Sequence, residues 1–343
     1  MNNLSFLKNL KGKKILIAPL DWGLGHATRS SVLIEALKRD NEIHIASSGL
    51  ALTWLKRTYP RFDFHVLPSY NVNYRFKMMW LNIFISTPQI LKSIRVENRI
   101  VHALVKKHKY DLIIADHRFG TRNKRCRSVV IAHQIQIPHP NPVFATLSSF
   151  LNRRLLNIYD EVWVPDYAIS RMSLSGELSN STKLKGSKYI GPLSMMDGTA
   201  SQAEKDIDIA VILSGPEPSR TNLELKLAKV LENFKESKLV LIRGSNRPLS
   251  NTIAQSTIFK TIVHLADHKK VTNIMSRTKI IICRSGYSTI MDLEALNRKA
   301  ILIPTNNQPE QEYLASYHCA RGNRCLSEED IDQKLIPMLH KIE

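Results

Sequence analysis

The sequence predicts an α/β protein made of two doubly wound domains that face each other across a cleft. Short β-branched apolar runs alternate with amphipathic helical patterns along the chain, which is typical of parallel α/β sheets. A Ser-, Lys- and Gly-rich stretch at 183–200 interrupts this series in the manner of a linker. The 343 residues are enough for two domains of ordinary size. We therefore place one domain at 1–190 and the other at 191–343, with a ligand cleft between them.

The first domain is predicted from six apolar runs and the helical patterns between them. Strands are expected at 13–19, 42–47, 62–67, 110–116, 128–132 and 161–165. Helices are expected from near Gly25, over 50–58, and from Thr87 to about residue 107. Thr87 and Pro88 resemble an N-cap followed by proline at the first helical position. The apolar face of that last helix would consist of Ile90, Ile94, Val101 and Val105.

The second domain repeats the pattern. Apolar runs predict strands at 207–213, 238–243, 260–265, 279–283 and 299–303. A helix begins near Pro218, because apolar residues follow at helical spacing: Leu223, Leu227, Val230, Leu231 and Phe234. The final helix of the chain is a candidate to pack back on the first domain.

The chain is strongly basic, with 49 Lys and Arg against 30 Asp and Glu and a formal net charge of +19. A polyanionic partner follows from this charge, whether nucleic acid, an anionic membrane surface or a phosphorylated substrate. A hydrophobic content of 43% argues against a disordered chain.

Compartment signals are few. The first residues hold no apolar core long enough for a signal peptide, and no run reaches the length of a membrane span. The four cysteines show neither zinc spacing nor a disulfide framework, so we expect reduced thiols in a cytoplasmic protein: Cys126, Cys283, Cys319 and Cys325.

A glycine-rich turn at 21–29 (DWGLGHATR) joins the first strand to the first helix. Gly23 and Gly25 let a ligand approach the backbone closely. His26 stands at the helix N-terminus, where free N–H groups and the positive end of the dipole lower the basicity of an imidazole. A neutral imidazole beside such a turn suits a general base. The alternative is a plain turn whose histidine helps to start the helix.

Asp116 ends a predicted strand of the same domain. The carboxyl ends of parallel strands line one crevice, so Asp116 is a candidate to orient His26 and to stabilise its charged form. A helix N-cap or a turn aspartate explains the residue equally well.

The stretch 70–127 is rich in Lys and Arg, and it begins with a mixture of basic and apolar residues at 75–85 (RFKMMWLNIFI). Such a mixture suits a segment that lies on an anionic lipid surface. The alternative is that 78–85 packs into the core while the basic residues form a solvated face.

The stretch 279–315 contains the largest group of polar residues that could bind a ligand. A strand ends at Cys283, and Arg284, Ser285 and Gly286 turn into a helix, which makes a candidate anion site. Thr289 adds a hydroxyl, and Asp292 is placed to accept hydrogen bonds from a ribose. The polar loop at 304–311 carries amides that suit sugar hydroxyls.

These motifs resemble the two-domain (GT-B) nucleotide-sugar glycosyltransferases, with Rossmann-like domains. Within this group they are similar to the lipid-linked muramyl-pentapeptide N-acetylglucosaminyltransferase and the monogalactosyldiacylglycerol synthases. The resemblance makes His26 an inverting base after the turn of Gly23 and Gly25, and it implies a UDP-sugar donor, a lipid-linked or glycan acceptor and a role in cell envelope biogenesis. The donor-binding residues that it implies are Ser214, Gly215, Arg220, Arg243, Arg284, Ser285, Gly286, Thr289, Asp292, Gln311 and Glu312.

Two positions depart from the family pattern. Glu312 stands where the second of the paired sugar-binding amides is expected, and Ser214–Gly215–Pro216 replaces a Gly-Gly-Ser turn. Arg220 is expected to take over part of the neutralisation of the diphosphate, together with Arg284.

The sequence therefore predicts an inverting hexosyltransferase, peripheral on the inner face of the plasma membrane. No Asp-x-Asp pair lies near the donor block, so no metal or other cofactor is expected. A nucleotide-sugar 2-epimerase is the first alternative, and it would need no separate acceptor surface. A nucleic-acid-binding protein is the second, although no RNA-binding aromatic signature supports it.

Overall fold

The computed structural model describes residues 4–70, 79–180, 182, 184, 186–196, 203–234 and 236–341. The chain divides into two compact units, Met1–Ser194 and Met195–Glu343. This division lies close to the boundary at 190/191 that the sequence suggested.

The N-terminal unit is built on a seven-stranded sheet. Its strands are β1 (Lys14–Pro19), β2 (Glu42–Ser47), β3 (Asp63–Val66), β4 (Leu112–Asp116), β5 (Arg127–Ile131), β6 (Glu161–Val164) and β7 (Ser187–Tyr189). They lie in the order β3-β2-β1-β4-β5-β6-β7, and every pair is parallel. The helices are α1 (Gly25–Leu37), α2 (Gly49–Thr58), α3 (Met79–His108) and α4 (Pro142–Leu156), with 3-10 turns at Ser5–Asn9, Ser170–Met172 and Gly176–Ser179.

The central strand of this sheet is covered on both faces, which explains its unbroken apolar run. Ile15, Leu16, Ile17 and Ala18 of β1 are fully buried. Leu16 and Ala18 pack with Val101 of α3 on one face of the sheet. Burial of each large apolar side chain stabilises the folded state by about 1.5–3 kcal/mol. The buried residues of β1 therefore favour a central position for this strand in the sheet.

The register brings the carboxyl ends of the middle strands together. Pro19, at the end of β1, lies opposite Asp116, at the end of β4, and Asp116 lies opposite Ile131 of β5. The strand order reverses between β1 and β4, and in doubly wound sheets ligands bind at such a switch point.

The C-terminal unit holds a six-stranded parallel sheet in the order β10-β9-β8-β11-β12-β13. Its strands are β8 (Ile207–Leu213), β9 (Leu239–Arg243), β10 (Phe259–His264), β11 (Thr278–Cys283), β12 (Ile301–Leu302) and β13 (Arg324–Cys325). Its helices are α5 (Ser219–Leu231), α6 (Asn251–Gln255), α7 (His268–Arg277), α8 (Tyr287–Ala295), α9 (Pro309–Cys319) and α10 (Ile331–His340), with a 3-10 turn at Glu232–Phe234. Two doubly wound α/β units were predicted, and this fold class is confirmed.

The final helix belongs to the core of the C-terminal unit. Leu335 and Leu339 of α10 are buried in one cluster with Leu223 and Leu227 of α5. The apolar side of α10 is therefore used inside its own unit, and the packing of this helix on the N-terminal domain stays a prediction.

At three places the structure differs from what the sequence predicted, although the boundary between the two units does fall within the predicted linker. Pro88 does not start a helix but lies inside α3, which is already helical at Met79. One lost backbone hydrogen bond is tolerated in a helix of 30 residues. The stretch predicted as a linker contributes β7, whose Tyr189 hydroxyl donates to the carbonyl of Ser179 at 2.9 Å. Strand β13 was not predicted, because two residues carry no periodic signal.

Part of the predicted interfacial segment lies outside the described residues. This holds for residues 75–78 and for the side chains of Met79, Trp80, Ile83 and Phe84. Within the described ranges, no helix is both long and apolar enough to cross a membrane. The four cysteines are free thiols.

Candidate active site

His26 is presented by an open turn at the end of β1. Gly23 has φ of +82°, which favours glycine, and a Cβ at this position would have no described atom within 4 Å. The Trp22 indole donates to the carbonyl of Tyr70 at 2.8 Å and fixes the outer side of the turn. Helix α1 begins at Gly25, so His26 lies in its first turn.

The structure brings the two residues of the predicted pair together. Nδ1 of His26 lies 2.9 Å from Oδ1 of Asp116. Asp116 is fully buried, whereas the His26 side chain is 16% exposed. A buried carboxylate therefore holds a partly accessible imidazole at the switch point of the sheet.

Arg29 is a third member of the cluster, and sequence reasoning missed it. Its Nε donates to Oδ2 of Asp116 at 2.6 Å, and its Nη2 donates to Oδ1. The same Nη2 lies 2.8 Å from Nδ1 of His26. The signal was present in the sequence, because residues three apart on a helix share a face. Arg29 stands three positions after His26.

Two further histidines complete the cluster and were also missed. His133 follows β5, and its Nδ1 lies 3.0 Å from Nη1 of Arg29. His117 directly follows Asp116, and its Nδ1 lies 3.2 Å from Nη2 of Arg29. His117 has φ of +53°, which is uncommon for a residue with a side chain. Both occupy strand ends, the positions that the argument for Asp116 already favoured.

The surroundings set the charges of the pair. Burial lowers the pKa of His26 to about 4, although the charge of Asp116 acts in the opposite direction, and Arg29 lowers it further. Burial alone would raise the pKa of Asp116, but the charges of Arg29 and His26 outweigh it and hold this pKa well below its usual range. At neutral pH the cluster thus combines a carboxylate, a guanidinium and a neutral imidazole at His26.

The cluster is better suited to protons than to metal ions. His26, Asp116 and His117 are close enough to share an ion. Nη2 of Arg29, however, faces the potential ligand atom of each of them. A metal cation would have to displace a buried guanidinium.

A second buried network holds the end of β4 in place. Nη1 of Arg118 donates to Oε2 of Glu97 at 2.7 Å, and its Nε donates to the carbonyl of Pro19 at 3.0 Å. The Tyr70 hydroxyl donates to Oε1 of Glu97 at 3.1 Å. This network ties α3 to the ends of β1 and β4, and through Tyr70 to the turn that carries Trp22.

The predicted donor-binding turns lie at the switch point of the C-terminal sheet. Strands β8 and β11 are neighbours, with Cys283 opposite Ile212. The turns after these strands, at Gly215 and Gly286, therefore lie beside each other.

Both turns leave the backbone open. Gly215 has φ of +111°, and a Cβ at Gly215 or at Gly286 would meet none of the described atoms within 4 Å. Gly286 is the N-cap of α8, and no side chain caps this helix. The N–H groups at the start of α8 are therefore suited to an anionic ligand.

Gln311 and Glu312 shape the loop between β12 and α9. Oε1 of Gln311 accepts from the N–H of Thr305 at 2.9 Å, and Oε1 of Glu312 accepts from the N–H of Asn307 at 2.7 Å. The Ser285 hydroxyl donates to the carbonyl of Gln311 at 2.7 Å. These contacts connect the loop directly to the start of α8.

Thr289 and Asp292 lie further along α8 and are partly buried. Burial, followed by the charge of Asp292, raises the pKa of the Cys283 thiol to about 12. The charge of Asp292 therefore acts on the thiol at the carboxyl end of β11.

The three arginines of the donor block do not have the surroundings that we expected. Arg220 is buried and ion-paired with Glu224, and Nε of Arg243 donates to the same carboxylate at 2.8 Å. Nη2 of Arg284 donates to the Ser219 hydroxyl at 2.9 Å. Each of these residues is about 1% exposed, so in this structure they brace the loops, and the role of Arg220 and Arg284 in neutralising a diphosphate stays a prediction.

Two family profiles match the chain. The profile described as Glycosyl transferase family 1 matches residues 13–138, which include His26 and Asp116. The profile described as Glycosyltransferase family 28 C-terminal domain matches residues 217–343, which include α8 and α9. No curated protein sequence matches the chain significantly.

Solved structures share the whole architecture. The spinosyn rhamnosyltransferase SpnG, complexed with thymidine diphosphate, is 12% identical with a TM-score of 0.61, over 95% of this chain and 92% of its own. A UDP-glucosyltransferase from Polygonum tinctorium is 11% identical with a TM-score of 0.60, over 97% and 92%. MurG from Acinetobacter baumannii is 12% identical with a TM-score of 0.55, over 96% and 91%. At these identities the likeness concerns the fold alone.

Proposed function

We propose that this chain, a GT-B nucleotide-sugar glycosyltransferase by its family matches and its fold, is an inverting, metal-independent enzyme that transfers a sugar from a UDP-sugar to a lipid-linked acceptor. The observation that supports the proposal most is the buried cluster of His26, Asp116 and Arg29 at the switch point of the N-terminal sheet.

His26 acts as the general base. We assign the Nδ1–H tautomer, in which Nδ1 donates to Oδ1 of Asp116 and Nε2 keeps the lone pair. In this tautomer Nη2 of Arg29 donates to Asp116 and not to the ring. Nε2 then takes the proton of the acceptor hydroxyl as its oxygen attacks the anomeric carbon of the sugar. The Asp116 carboxylate stabilises the imidazolium that forms. Attack from the face opposite the leaving group gives inversion.

Arg29 orients Asp116, and its positive charge disfavours the binding of a metal cation between His26, Asp116 and His117. Its two bonds to the carboxylate fix the direction in which Asp116 faces His26. Its charge also lowers the pKa of His26, so the imidazole stays neutral until substrate binds. Proton transfer at this centre therefore needs no metal.

The leaving nucleoside diphosphate binds to the open turns of the C-terminal unit. The N–H groups at the start of α8 and the backbone at Gly215 stabilise the charge that develops on the diphosphate. Asp292 accepts from the ribose hydroxyls. Gln311 contacts the sugar from the first turn of α9.

The lipid acceptor is supported by α4. Val143, Phe144, Leu147, Phe150 and Leu151 recur at the spacing of one helix face, and each is 45–72% exposed. An exposed apolar stripe of this length marks an interaction surface.

This helix is joined to the candidate active site by the loop after β5. The N–H of Ile137 donates to the Ser149 hydroxyl at 2.8 Å, and Asn152 donates to the carbonyl of Gln134 at 2.9 Å. The same loop carries His133, which contacts Arg29. Helix α4 is therefore connected to the candidate active site both along the chain and through hydrogen bonds. A lipid tail bound along α4 would extend from the reacting centre.

Basic side chains on α3 favour an anionic surface. Exposed residues of this helix include Lys92, Arg95, Arg99 and Lys106. Their attraction to anionic headgroups adds to the apolar contact of α4. We infer peripheral attachment to an anionic membrane.

The proposal is tested by incubating the purified chain with UDP-sugars, diacylglycerol or polyprenyl-phosphate-linked acceptors, and EDTA. Proton NMR of the product gives the anomeric configuration. Transfer with inversion in EDTA supports the proposal. Retention, or transfer that requires added metal, contradicts it. Epimerised donor in the absence of acceptor would support the 2-epimerase alternative.

A further inference from the structure

Three histidines form a second cluster in the N-terminal unit, away from the candidate active site. His44 lies on β2, His65 lies on β3, and His108 is the last residue of α3. One ring nitrogen from each lies within 4.8 Å of the others. His44 pairs in register with Leu16, whereas Asp116 pairs with Pro19. At about 3.3 Å per residue, the cluster is roughly 10 Å nearer the amino ends of the strands.

We propose that His44, His65 and His108 form a binding site for a divalent transition-metal ion of the zinc class. Imidazole nitrogens are the ligands that such ions prefer, and three of them plus water complete a tetrahedral zinc site.

The spacing of two ligand atoms suits a shared ion. Nδ1 of His44 lies 3.1 Å from Nε2 of His65. Two ligands at about 2.0–2.1 Å from one tetrahedral ion are roughly 3.4 Å apart. Small side-chain rotations therefore suffice.

One ring nitrogen of His108 has no hydrogen-bond partner in the described structure. Nε2 of His108 is buried and makes no hydrogen bond. Leaving a buried polar atom unsatisfied costs about 1–3 kcal/mol. A metal ion bound between the three rings would satisfy it.

Carboxylates orient the innermost ligand. Nε2 of His44 lies 3.1 Å from Oε1 of Glu42 and 3.3 Å from Oδ2 of Asp63. The Nε2–H of His44 therefore faces acceptors, and its Nδ1 presents a lone pair to the centre of the cluster. Carboxylates commonly hold metal-binding histidines in this way.

Groups of both signs surround this cluster. Glu42 and Asp63 lie beside His44, whereas burial, and with it the charges of Lys107 and Lys14, lowers the pKa of His108. The carboxyl end of α3, with its partial negative charge, terminates at His108. His44 is almost fully buried, whereas His65 and His108 are partly exposed, which leaves an entry path. The Tyr110 hydroxyl, 2.8 Å from Nδ1 of His44, would move aside or hydrogen-bond to the metal-bound water.

The test uses the full chain, stripped with chelator and then titrated with Zn²⁺ by calorimetry and with Co²⁺ by visible absorption. Wild type should bind one equivalent, and Zn²⁺ should raise the melting temperature. His65→Ala should weaken binding by at least about 100-fold, since even second-shell changes cost 10–100-fold. His102→Ala, an exposed position on α3, should bind like wild type.

His108→Gln, at the partly exposed end of α3, gives the same test if His65→Ala does not fold. The proposal is overturned if wild type binds no stoichiometric Zn²⁺, or if His65→Ala and His108→Gln both bind as tightly as wild type. It is equally overturned if His117→Ala, in the other cluster, abolishes binding while those two variants retain it.

Discussion

His26 has an environment that differs from that of a histidine on a surface turn. Its ring contacts a buried carboxylate that is itself held by Arg29. Burial and Arg29 favour the neutral ring, whereas Asp116 favours the charged ring. His26 is therefore neutral at neutral pH and can accept a proton. The imidazolium that forms is stabilised by the Asp116 carboxylate.

This balance predicts an unusual pH dependence. Because burial lowers the pKa of His26 to about 4, the basic form is already complete well below pH 6.5. The acid limb of kcat/KM should therefore fall near pH 4, measured from pH 4 to 8 with enzyme diluted from pH 7 immediately before assay. A limb centred near pH 6.5 would contradict the assignment.

Asp116 is also required for stability. Asp116→Asn removes the counter-charge of a buried guanidinium, and breaking such a pair costs about 3–5 kcal/mol. Urea denaturation should show this loss. Asp111→Asn is the matched control, because Asp111 pairs with Lys13 at 3.1 Å on the surface, where both side chains are more than 40% exposed, and surface pairs are worth about 0–1 kcal/mol. Equal losses in the two variants would show that the Asp116 pair is unimportant.

At the scale of single elements, α4 carries an exposed apolar surface that the sequence did not lead us to expect. The sequence drew attention to 75–85 as the membrane segment, whereas the described structure exposes its longest apolar stripe on α4. Arg154 lies over the Phe150 ring at 5.0 Å and adds a basic group to the same face. Such a helix suits the boundary of an anionic bilayer.

Leu147→Glu should therefore weaken attachment to vesicles. Wild type should sediment with anionic vesicles and be released by salt, because surface attraction is screened. Leu147→Glu should lose most of this binding and of transfer to a lipid acceptor, while UDP affinity stays unchanged. Leu147→Phe keeps an apolar side chain at the same position, and it should behave nearly as wild type. Undiminished sedimentation of Leu147→Glu would remove α4 from the membrane surface.

Helix α8 gives a second prediction at this scale. Asp292→Ala should reduce UDP affinity by about 1.5–3 kcal/mol, the worth of a charge-assisted hydrogen bond, which is roughly 10–150-fold in Kd. Glu294→Ala, an exposed position on the same helix, should leave the Kd unchanged. If calorimetry finds the same UDP affinity in folded Asp292→Ala, this residue does not contact the ribose.

At the scale of the whole molecule, the sheets could be predicted because their inner strands are buried on both faces. In β8 (IDIAVIL) every side chain except that of Asp208 is apolar, and five of the seven residues are buried. The edge strands β7 and β13 have two or three residues and exposed or half-buried side chains, so hydrophobicity could not reveal them. Pro88 led to a wrong prediction of where α3 begins. The other residues of this long helix stabilise it enough to tolerate one proline in its interior.

Sequence could predict only those residues of the candidate sites that lie at the ends of strands. His26 and Asp116 follow neighbouring strands, and the register brings them together. Arg29 and His133 contact each other across 104 positions of the sequence, a pairing that no local pattern contains. The ion pair of Arg220 with Glu224 could not be predicted for the same reason, because sequence does not show which carboxylate a buried guanidinium meets.

The measurement that tests the account most directly is single-turnover sugar transfer by His26→Ala, with UDP binding measured on the same preparation. Loss of a general base costs about 10²–10⁴ in rate. The predicted result is a rate reduced by that factor, with UDP affinity and melting temperature close to those of wild type, and with His102→Ala fully active. Transfer by folded His26→Ala at the wild-type rate would contradict the proposed mechanism.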